Sequence, residues 1–554
     1  MADTRGASGR LAYRRVVLST ILVLESVLAG CSVGRPPPPP APSSTATAYT
    51  LRTLASDEIA DLQPILADAA KATGVTVAIT PTTSLAGSKD VASGRAGSSY
   101  DATWFATNRY LAMTPGALAE LDSSTVIMSS PVVLGLRRSV ADRLGWAGKP
   151  VSWTAIAEAA AAHRFGFGMS DPENSNSGLS ALVCVATAVA GNGAALQPSG
   201  VAQASPLLKG FFSGQTLKSS SSRVLVDDYL RVQGSDAQGG AVDGIIDYES
   251  TLLSLNASGR LREALTLIYP SDGVVTADYT LSLLGSAPPA AKDAYTRLVT
   301  YLRLPDSQRR IMQQTRRRPG LPGVPLDADL AGRETFETPF PGNSTVVDNL
   351  IIAYYGTLRR PARTVYVLDT SGSMKGDRLS ALKAAIGLLT APEPDSTAPG
   401  STFQTREQIT FEPFSDTPRP ASTFTVPAQD PQAALSQIGA FVAGLSANGG
   451  TAVYDALAAA YTTVAQQVAA DPDRITTIVL LTDGENNAGR DLAAFTQFYR
   501  GLPAATASVP VYPILFGDTD NKEMAQLAQL TGGRTFDGRK LPLSTVFTLI
   551  RGDQ

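Results

Sequence analysis

From Tyr49 onward, two spacings of apolar residues alternate along the chain. Tyr49 to Ser56 is a short strand-like run, and Ile59, Leu62, Ile65, Leu66 and Ala69 then recur at helical spacing through Asp57 to Lys71. Thr73-Gly74 ends that helix and Val75 to Thr80 reads as a second strand. Strand, helix and strand in this order predict a βαβ unit with a parallel sheet, whose ligand edge lies where the first strand stops, at Ser56-Asp57. The pattern continues with Tyr100 to Phe105 as a strand, then Val126 to Arg137, the polar loop Ser170 to Gly178 with a helix behind it, Ala241 to Tyr248, and Leu265 to Tyr269. Free N–H groups where that loop opens its helix favour an anion or a hydroxyl-rich ligand, although Ser or Asn there also serves as an ordinary helix cap.

A helix-like segment, Val346 to Leu358, and the basic Arg359 to Arg363 separate this stretch from a second one. There Thr364 to Leu368, rich in β-branched and aromatic residues, reads as a buried strand ending at Asp369. Asp377 to Leu389 follows as a helix, Gln408 to Phe414 as a strand, and Asp430-Pro431 caps a helix running to Leu445. Gly449 to Asp455 opens another helix, Thr477 to Leu481 is an apolar strand ending in Thr482-Asp483-Gly484, and the strand Val511 to Phe516 and the helix Leu541 to Ile550 close the region. The fold class is therefore α/β in both halves.

Length agrees, since 554 residues at about 150 per domain suggest two to four units. A net charge of -3 with 17% charged residues offers no basic surface for nucleic acid and no acidic tail. The N-terminus says more. Arg5, Arg10, Arg14 and Arg15 precede an apolar segment, Val16 to Val27, and then Leu28-Ala29-Gly30-Cys31. A positive leader, a short apolar region and small residues before a cut are the parts of an export signal, and the segment falls short of the roughly 20 residues that span a bilayer. It resembles a lipoprotein signal peptide, which implies a lipid on Cys31, although Glu25 departs from the usual pattern. Arg35 to Pro42 and a Ser/Thr-rich tail to Thr47 form an extended spacer. With Cys31 lipidated, only Cys184 remains, in the apolar run Leu182 to Ala186, where a buried structural thiol is expected.

Candidate chemistry concentrates in the second region. Asp369, Ser371 and Ser373 place three oxygen-bearing side chains at alternate positions after a strand, and each alone could be a turn or cap residue. The carboxyl ends of strands line one edge of a doubly wound sheet, so Thr451 and Asp483 can converge on the first three. Oxygen donors without His or Cys suit a hard cation, Mg²⁺ or Ca²⁺, rather than zinc. This region resembles the von Willebrand factor A domain, a Rossmann-like fold whose metal-ion-dependent adhesion site is Asp-x-Ser-x-Ser followed by a Thr and an Asp. The resemblance implies that Ser371 and Ser373 ligate directly, Thr451 directly or through water, and Asp369 and Asp483 mostly through water. It also implies a place on the cation for a carboxylate of a protein partner.

The first region resembles a bacterial extracellular solute-binding protein of the periplasmic type, through Ser56, Asp101, the Asp171 to Gly178 loop, the Tyr269 to Tyr279 segment, Tyr301 to Arg303 and Gln308. That implies two α/β lobes closing on a ligand, with Ser56, Asp101, Ser175, Ser177 and Tyr248 as candidate cleft residues. The expected organisation is a signal peptide over 1–30, the spacer over 31–47, the solute-binding region over 48–342, a linker helix over 343–362 and the A domain over 363–551. His163, the only histidine, reads as a structural or exposed residue on a helix. The arginines at 309, 310 and 316 to 318 offer a place for an acidic partner but read first as a solvated helix end, and Arg551-Gly552-Asp553 carries little weight as a motif.

An enzyme is disfavoured. Ser371 stands where an Asp-x-Asp phosphatase needs a carboxylate, no Gly-x-Ser-x-Gly surrounds Ser373, there is no phosphate loop, and His163 lies in the other region. The expectation is a lipid-anchored protein on the extracytoplasmic face of the membrane that binds a protein or envelope ligand through the cation, with a further solute-binding part. The alternative is the receptor of a membrane transport system, its partner a small solute.

Overall fold

The computed structural model describes residues 47–191, 193–233, 236–237, 240–390, 402–483, 485–515 and 521–553. Cys31 and the 1–30 segment lie outside them.

The first region forms two lobes, each around its own sheet. A five-stranded sheet runs in the order Val75–Thr82, Tyr49–Ser56, Ala102–Phe105, Thr280–Leu284, Leu121–Val126. The second sheet runs Leu265–Ile268, Met128–Arg137, Gly244–Tyr248, Phe167–Ser170, Gln215–Ser219. Tyr49–Ser56 pairs in parallel with both neighbours, as the βαβ pattern requires. The apolar run expected from Val126 to Arg137 is two strands. Leu121–Val126 belongs to the first lobe and Met128–Arg137 to the second, with buried Ile127 where the chain crosses over.

Two expected helices begin or end differently. Asp57 to Leu62 is a 3₁₀ segment, and the α-helix starts only at Gln63, because Pro64 lacks an N–H and fits the first turn. The segment before the second region is an α-helix over Ser344–Ala353 followed by one π turn, Tyr354–Leu358, whose two tyrosines are buried. Leu350, Tyr354, Tyr355 and Leu358 pack into the core of the first region, so this connection is held down along its length.

The second region is a six-stranded sheet in the order Ser422–Thr425, Gln408–Phe414, Ala362–Asp369, Ile475–Thr482, Val511–Leu515, Phe536–Asp537. All pairings are parallel except that of Ser422–Thr425. Alternation along the central strand explains the two helical layers. Tyr366 and Leu368 point to one face, against the helices Asp377–Thr390, Pro431–Ala443 and Leu543–Gly552. Val365 and Val367 point to the other, against Val453–Ala470 and Leu492–Arg500. From Ala362–Asp369 the chain first adds Gln408–Phe414 on one side and then Ile475–Thr482 on the other. That reversal opens a crevice at the carboxyl end of the central strand.

Candidate functional site

Asp369 ends the central strand at this crevice and is fully buried. Its Oδ1 accepts the Ser371 N–H at 2.8 Å and its Oδ2 accepts the Thr482 hydroxyl at 2.7 Å. Burial pushes the Asp369 carboxyl above its ordinary range, hydrogen bonds from Ser371 and Thr482 pull against that, and the nearby charge of Asp483 adds to the rise. Ser371 and Ser373 share a hydrogen bond of 2.9 Å, and the Ser373 hydroxyl donates to Asp483 Oδ1 at 2.8 Å. Four of the five expected residues thus form one connected cluster of oxygen atoms. Thr451 reaches the same edge through its loop, where the Gly372 N–H donates to the Gly449 carbonyl at 2.9 Å and the Asn448 N–H to the Thr370 carbonyl at 2.8 Å. The Thr451 N–H donates to Asn487 Oδ1 at 2.8 Å, and its side chain makes no hydrogen bond among the described residues.

The donor set fits a hard cation. It is made of hydroxyls and two carboxylates, and among the described residues no group of three or more His, Cys, Asp or Glu is placed to hold a metal. A cationic group already lies on it, since Arg378 Nη1 stands 2.5 Å from Asp483 Oδ2. Arg378 occupies the first turn of Asp377–Thr390, where the helix dipole disfavours a positive charge, so Asp483 offsets an otherwise unfavourable position. Arg378 escaped the sequence reading, as did Asp416. The Asp416 Oδ1 accepts the Gly450 N–H at 2.7 Å and holds the loop that carries Thr451. Its signal was an Asp in the first turn after Gln408–Phe414, the place that Asp369 and Asp483 hold on the neighbouring strands.

The candidate cleft residues meet only in part. Ser170, Ser175 and Ser177 hydrogen-bond one another at 2.8 to 3.1 Å. Asn176 Nδ2 donates to the Tyr248 hydroxyl at 3.0 Å, and that hydroxyl reaches Glu58 Oε1 of the opposite lobe at 3.4 Å. Ser56 ends its strand two residues before Glu58, its hydroxyl accepting the Ala106 N–H at 3.0 Å and sharing a hydrogen bond with Ser84. Asp101 is not with them. It precedes Ala102–Phe105, at the register of Arg52, and there pairs with the Arg52 guanidinium at 2.6 Å and accepts the Arg52 N–H at 2.9 Å. Sequence order could not tell the amino end of that strand from its carboxyl end.

Missed by the sequence reading were Glu58, Asp247 and Arg317. Burial, then the charge of Asp57, pushes Glu58 up to about 8. Burial likewise pushes Asp247 up to about 6 against hydrogen bonds from Ser222. Arg317 belongs to the run expected to be a solvated helix end, yet it is buried, pairs with Asp61 at 2.7 Å, donates to the Glu58 carbonyl at 3.1 Å and lies over the Tyr279 ring. Beside the serine loop the cleft thus holds two carboxyl groups that burial pushes toward their neutral form and one guanidinium paired with Asp61. Asp171, from the same loop, faces away and accepts from Tyr355 at 2.6 Å and from Lys218 at 2.7 Å.

His163 follows the helix Trp153–Ala161 rather than sitting on it, exposed and in a left-handed backbone conformation at φ 51°. Cys184 is buried, accepts the Val275 N–H at 3.1 Å, and burial pushes its thiol up to about 12, as befits a structural cysteine. Arg551 and Asp553 are buried and belong to the contact with the first region. Lys218 Nζ donates to the Arg551 carbonyl at 3.2 Å, and the Ser220 N–H donates to Asp553 Oδ1 at 2.7 Å.

Residues 52–314 match the family model of the bacterial extracellular solute-binding protein, and residues 364–485 that of the von Willebrand factor type A domain. No curated protein matches the chain. Solved structures similar to it include the periplasmic binding protein AfuA from Actinobacillus pleuropneumoniae with exogenous fructose-6-phosphate bound, at 13% identity and TM-score 0.43 over 55% of this chain and 97% of that one. The apo ferric ion-binding protein A of Pasteurella haemolytica is similar at 14% identity and TM-score 0.42, over 55% of this chain and 97% of that one. Iron-bound HitA from Pseudomonas aeruginosa is similar at 16% identity and TM-score 0.41, over 55% of this chain and 98% of that one. The first family is extracellular, and no helix among the described residues is long and apolar enough to cross a membrane.

Proposed function

We propose that this chain, which joins a bacterial extracellular solute-binding domain to a von Willebrand factor type A domain, is a lipoprotein anchored through Cys31 that binds a protein ligand by way of a divalent cation. Its parts are the signal peptide 1–30, the spacer 31–47, the solute-binding domain 48–342, the linker 343–362 and the A domain 363–551. One observation carries the reading: Asp369, Ser371, Ser373 and Asp483 form a single hydrogen-bonded oxygen cluster at the carboxyl edge of the sheet, beside the loop of Thr451. Mg²⁺ or Ca²⁺ held there supplies a positive centre with an exchangeable position that a partner's Asp or Glu can fill. The chain's own residues fix the geometry. Thr482 and the Ser371 N–H hold the Asp369 carboxylate, and Asp416 holds the Thr451 loop.

The test is capture of a partner from cell-envelope extract by the full chain, with and without chelator. Metal-dependent capture that is lost in folded Asp369→Ala supports the proposal, and capture indifferent to both ends it. A second reading, a solute receptor, rests on the contact between Glu58 and Tyr248 across the lobes. Saturable binding of a neutral, hydroxyl-rich solute that is weakened by Tyr248→Phe would favour it.

A further inference from the structure

Between the two domains lies a cavity of about 350 Å³ that neither candidate site uses. Lys209 and His163 line it from the solute-binding domain, Arg359 and Arg360 from the linker, and Arg406 and Asp473 from the A domain. The charges do not cancel. Among the described residues, Arg359 and Arg551 share the carboxylate of Glu407 and Arg474 pairs with Asp471, so that five further cations counting Arg551 (Lys209, Arg359, Arg360, Arg406, Arg551) stand with two carboxylates, Glu407 and Asp473. The carboxyl-terminal ends of the helices Trp153–Ala161 and Pro198–Ser213 lie beside the cavity, next to His163 and at Ser213, and offset about half a charge each. About two positive charges stay in excess.

Arg406 is the centre of that excess. Its Nε donates to the Gly356 carbonyl at 2.7 Å and its Nη2 to the Arg359 carbonyl at 3.0 Å, both neutral acceptors, and it makes no ion pair among the described residues. Its backbone is left-handed, φ 71°, a conformation that a residue with a Cβ adopts only where the surroundings impose it. Burial lowers the affinity of Arg406 for its proton, and the neighbouring Arg359 and Arg474 lower it further. Lys209 is exposed at the rim and has neither a hydrogen bond nor an ion pair among the described residues. An adjoining cavity of about 260 Å³ shares His163 and adds Arg143 and Arg164, so the positive ground extends beyond one small ion.

From these observations we infer that the domain junction is a binding site for a phosphate-bearing anion, held by Arg360, Arg406 and Lys209. Guanidinium forks match the oxygens of phosphate, and about two excess charges match a dianion. The ligand touches both domains at once, so its binding holds them in the arrangement seen here. The phosphate can be free in solution or carried by a lipid headgroup.

The experiment measures the melting temperature of the full chain against inorganic phosphate, with chloride keeping ionic strength constant, and in parallel its retention on phosphatidylglycerol and on phosphatidylcholine vesicles. A saturable rise in melting temperature with phosphate, or a preference for phosphatidylglycerol, supports the site if Lys209→Glu weakens it roughly tenfold, the scale of one charge-assisted hydrogen bond. A response in the first arm identifies a soluble phosphate, and one in the vesicle arm alone a headgroup. Arg406→Gln is the second variant, and Lys209→Glu keeps the test decisive should Arg406→Gln fail to fold, because Lys209 makes no contact on which folding depends. The inference falls if phosphate acts no differently from chloride and vesicle charge has no effect, or if binding is unchanged in both variants.

Discussion

Replacing Arg378 with alanine should tighten, not weaken, the binding of a divalent cation. Arg378 Nη1 lies 2.5 Å from Asp483 Oδ2, with the Asp483 side chain buried and the Arg378 side chain 38% exposed. With charge centres about 4 Å apart and an effective permittivity of about 20, the attraction is about 4 kcal/mol before screening. Exposure of the guanidinium reduces the net contribution to about 1 to 2 kcal/mol. A cation arriving at the cluster must displace this contact or share Asp483 with it. Removing Arg378 therefore lowers the dissociation constant by roughly five- to thirtyfold. Titration calorimetry with Mg²⁺ and with Ca²⁺ on the full chain reads this directly, and Arg378→Lys, which keeps a charge but loses the fork, should fall between. An unchanged or higher dissociation constant in Arg378→Ala would refute the competition. Absence of binding in wild type and variant alike would refute the cation site itself.

Three further outcomes follow from the same geometry. Burial pushes Glu407 up, but Arg551 and Arg359 outweigh it and hold the carboxyl below its usual range, so its stabilisation is present above the ordinary carboxylate pKa and is lost in acid as pH falls through the folded value. Glu407→Gln leaves two guanidinium groups facing each other and should cost about 3 to 5 kcal/mol in urea unfolding at pH 7, with a flatter acid limb. Glu58 has the opposite sign. Its pKa is raised to about 8, so its contribution to stability is complete below the ordinary carboxylate pKa and declines as pH rises through about 8. Unfolding free energy should therefore drop between pH 5 and pH 9 in wild type and less in Glu58→Gln, and equal slopes would contradict the desolvation of half-buried Glu58 against Tyr248. Gly449 has φ 78°, and a Cβ there would lie 2.2 Å from Asp416 Oδ2. Gly449→Ala should displace the Thr451 loop and weaken cation binding by about 1 to 3 kcal/mol without unfolding the sheet, as circular dichroism would verify.

The strands were legible because their alternation is local. Tyr49–Ser56 and Gln408–Phe414 fall where the pattern put them, and Thr364 to Leu368 lies inside Ala362–Asp369. The crevice was legible because a strand end followed by small oxygen donors recurs within one domain. What failed depends on partners distant in sequence. Arg317 reads as solvated until Asp61 and Tyr279, more than two hundred and about forty residues away, close around it. Asp101 reads as a cleft residue until the register shows it beside Arg52. Arg551-Gly552-Asp553 reads as a chance tripeptide until Lys218, Ser220 and Glu407 hold its two charged members.

Which edge of the A domain meets the solute-binding domain decides whether the two candidate sites compete. Glu407 directly precedes Gln408–Phe414, Arg360 precedes Ala362–Asp369, and Asp473 precedes Ile475–Thr482. All three stand at the amino edge of the sheet, and all three contact or line the junction together with Arg551 and Lys209. Asp369 and Asp483 stand at the carboxyl edge of the same strands. Eight residues of the central strand, at about 3.3 Å each, separate the two edges by about 25 Å. The amino edge is therefore occupied within the chain, and the oxygen cluster faces the other way. The carboxyl edge stays open to a partner without displacing the solute-binding domain, while Asp171 and Lys218 connect the back of the serine loop to the linker and to the last helix. The two proposed roles, a partner at the oxygen cluster and a solute in the cleft, are compatible in one molecule because the junction consumes neither site.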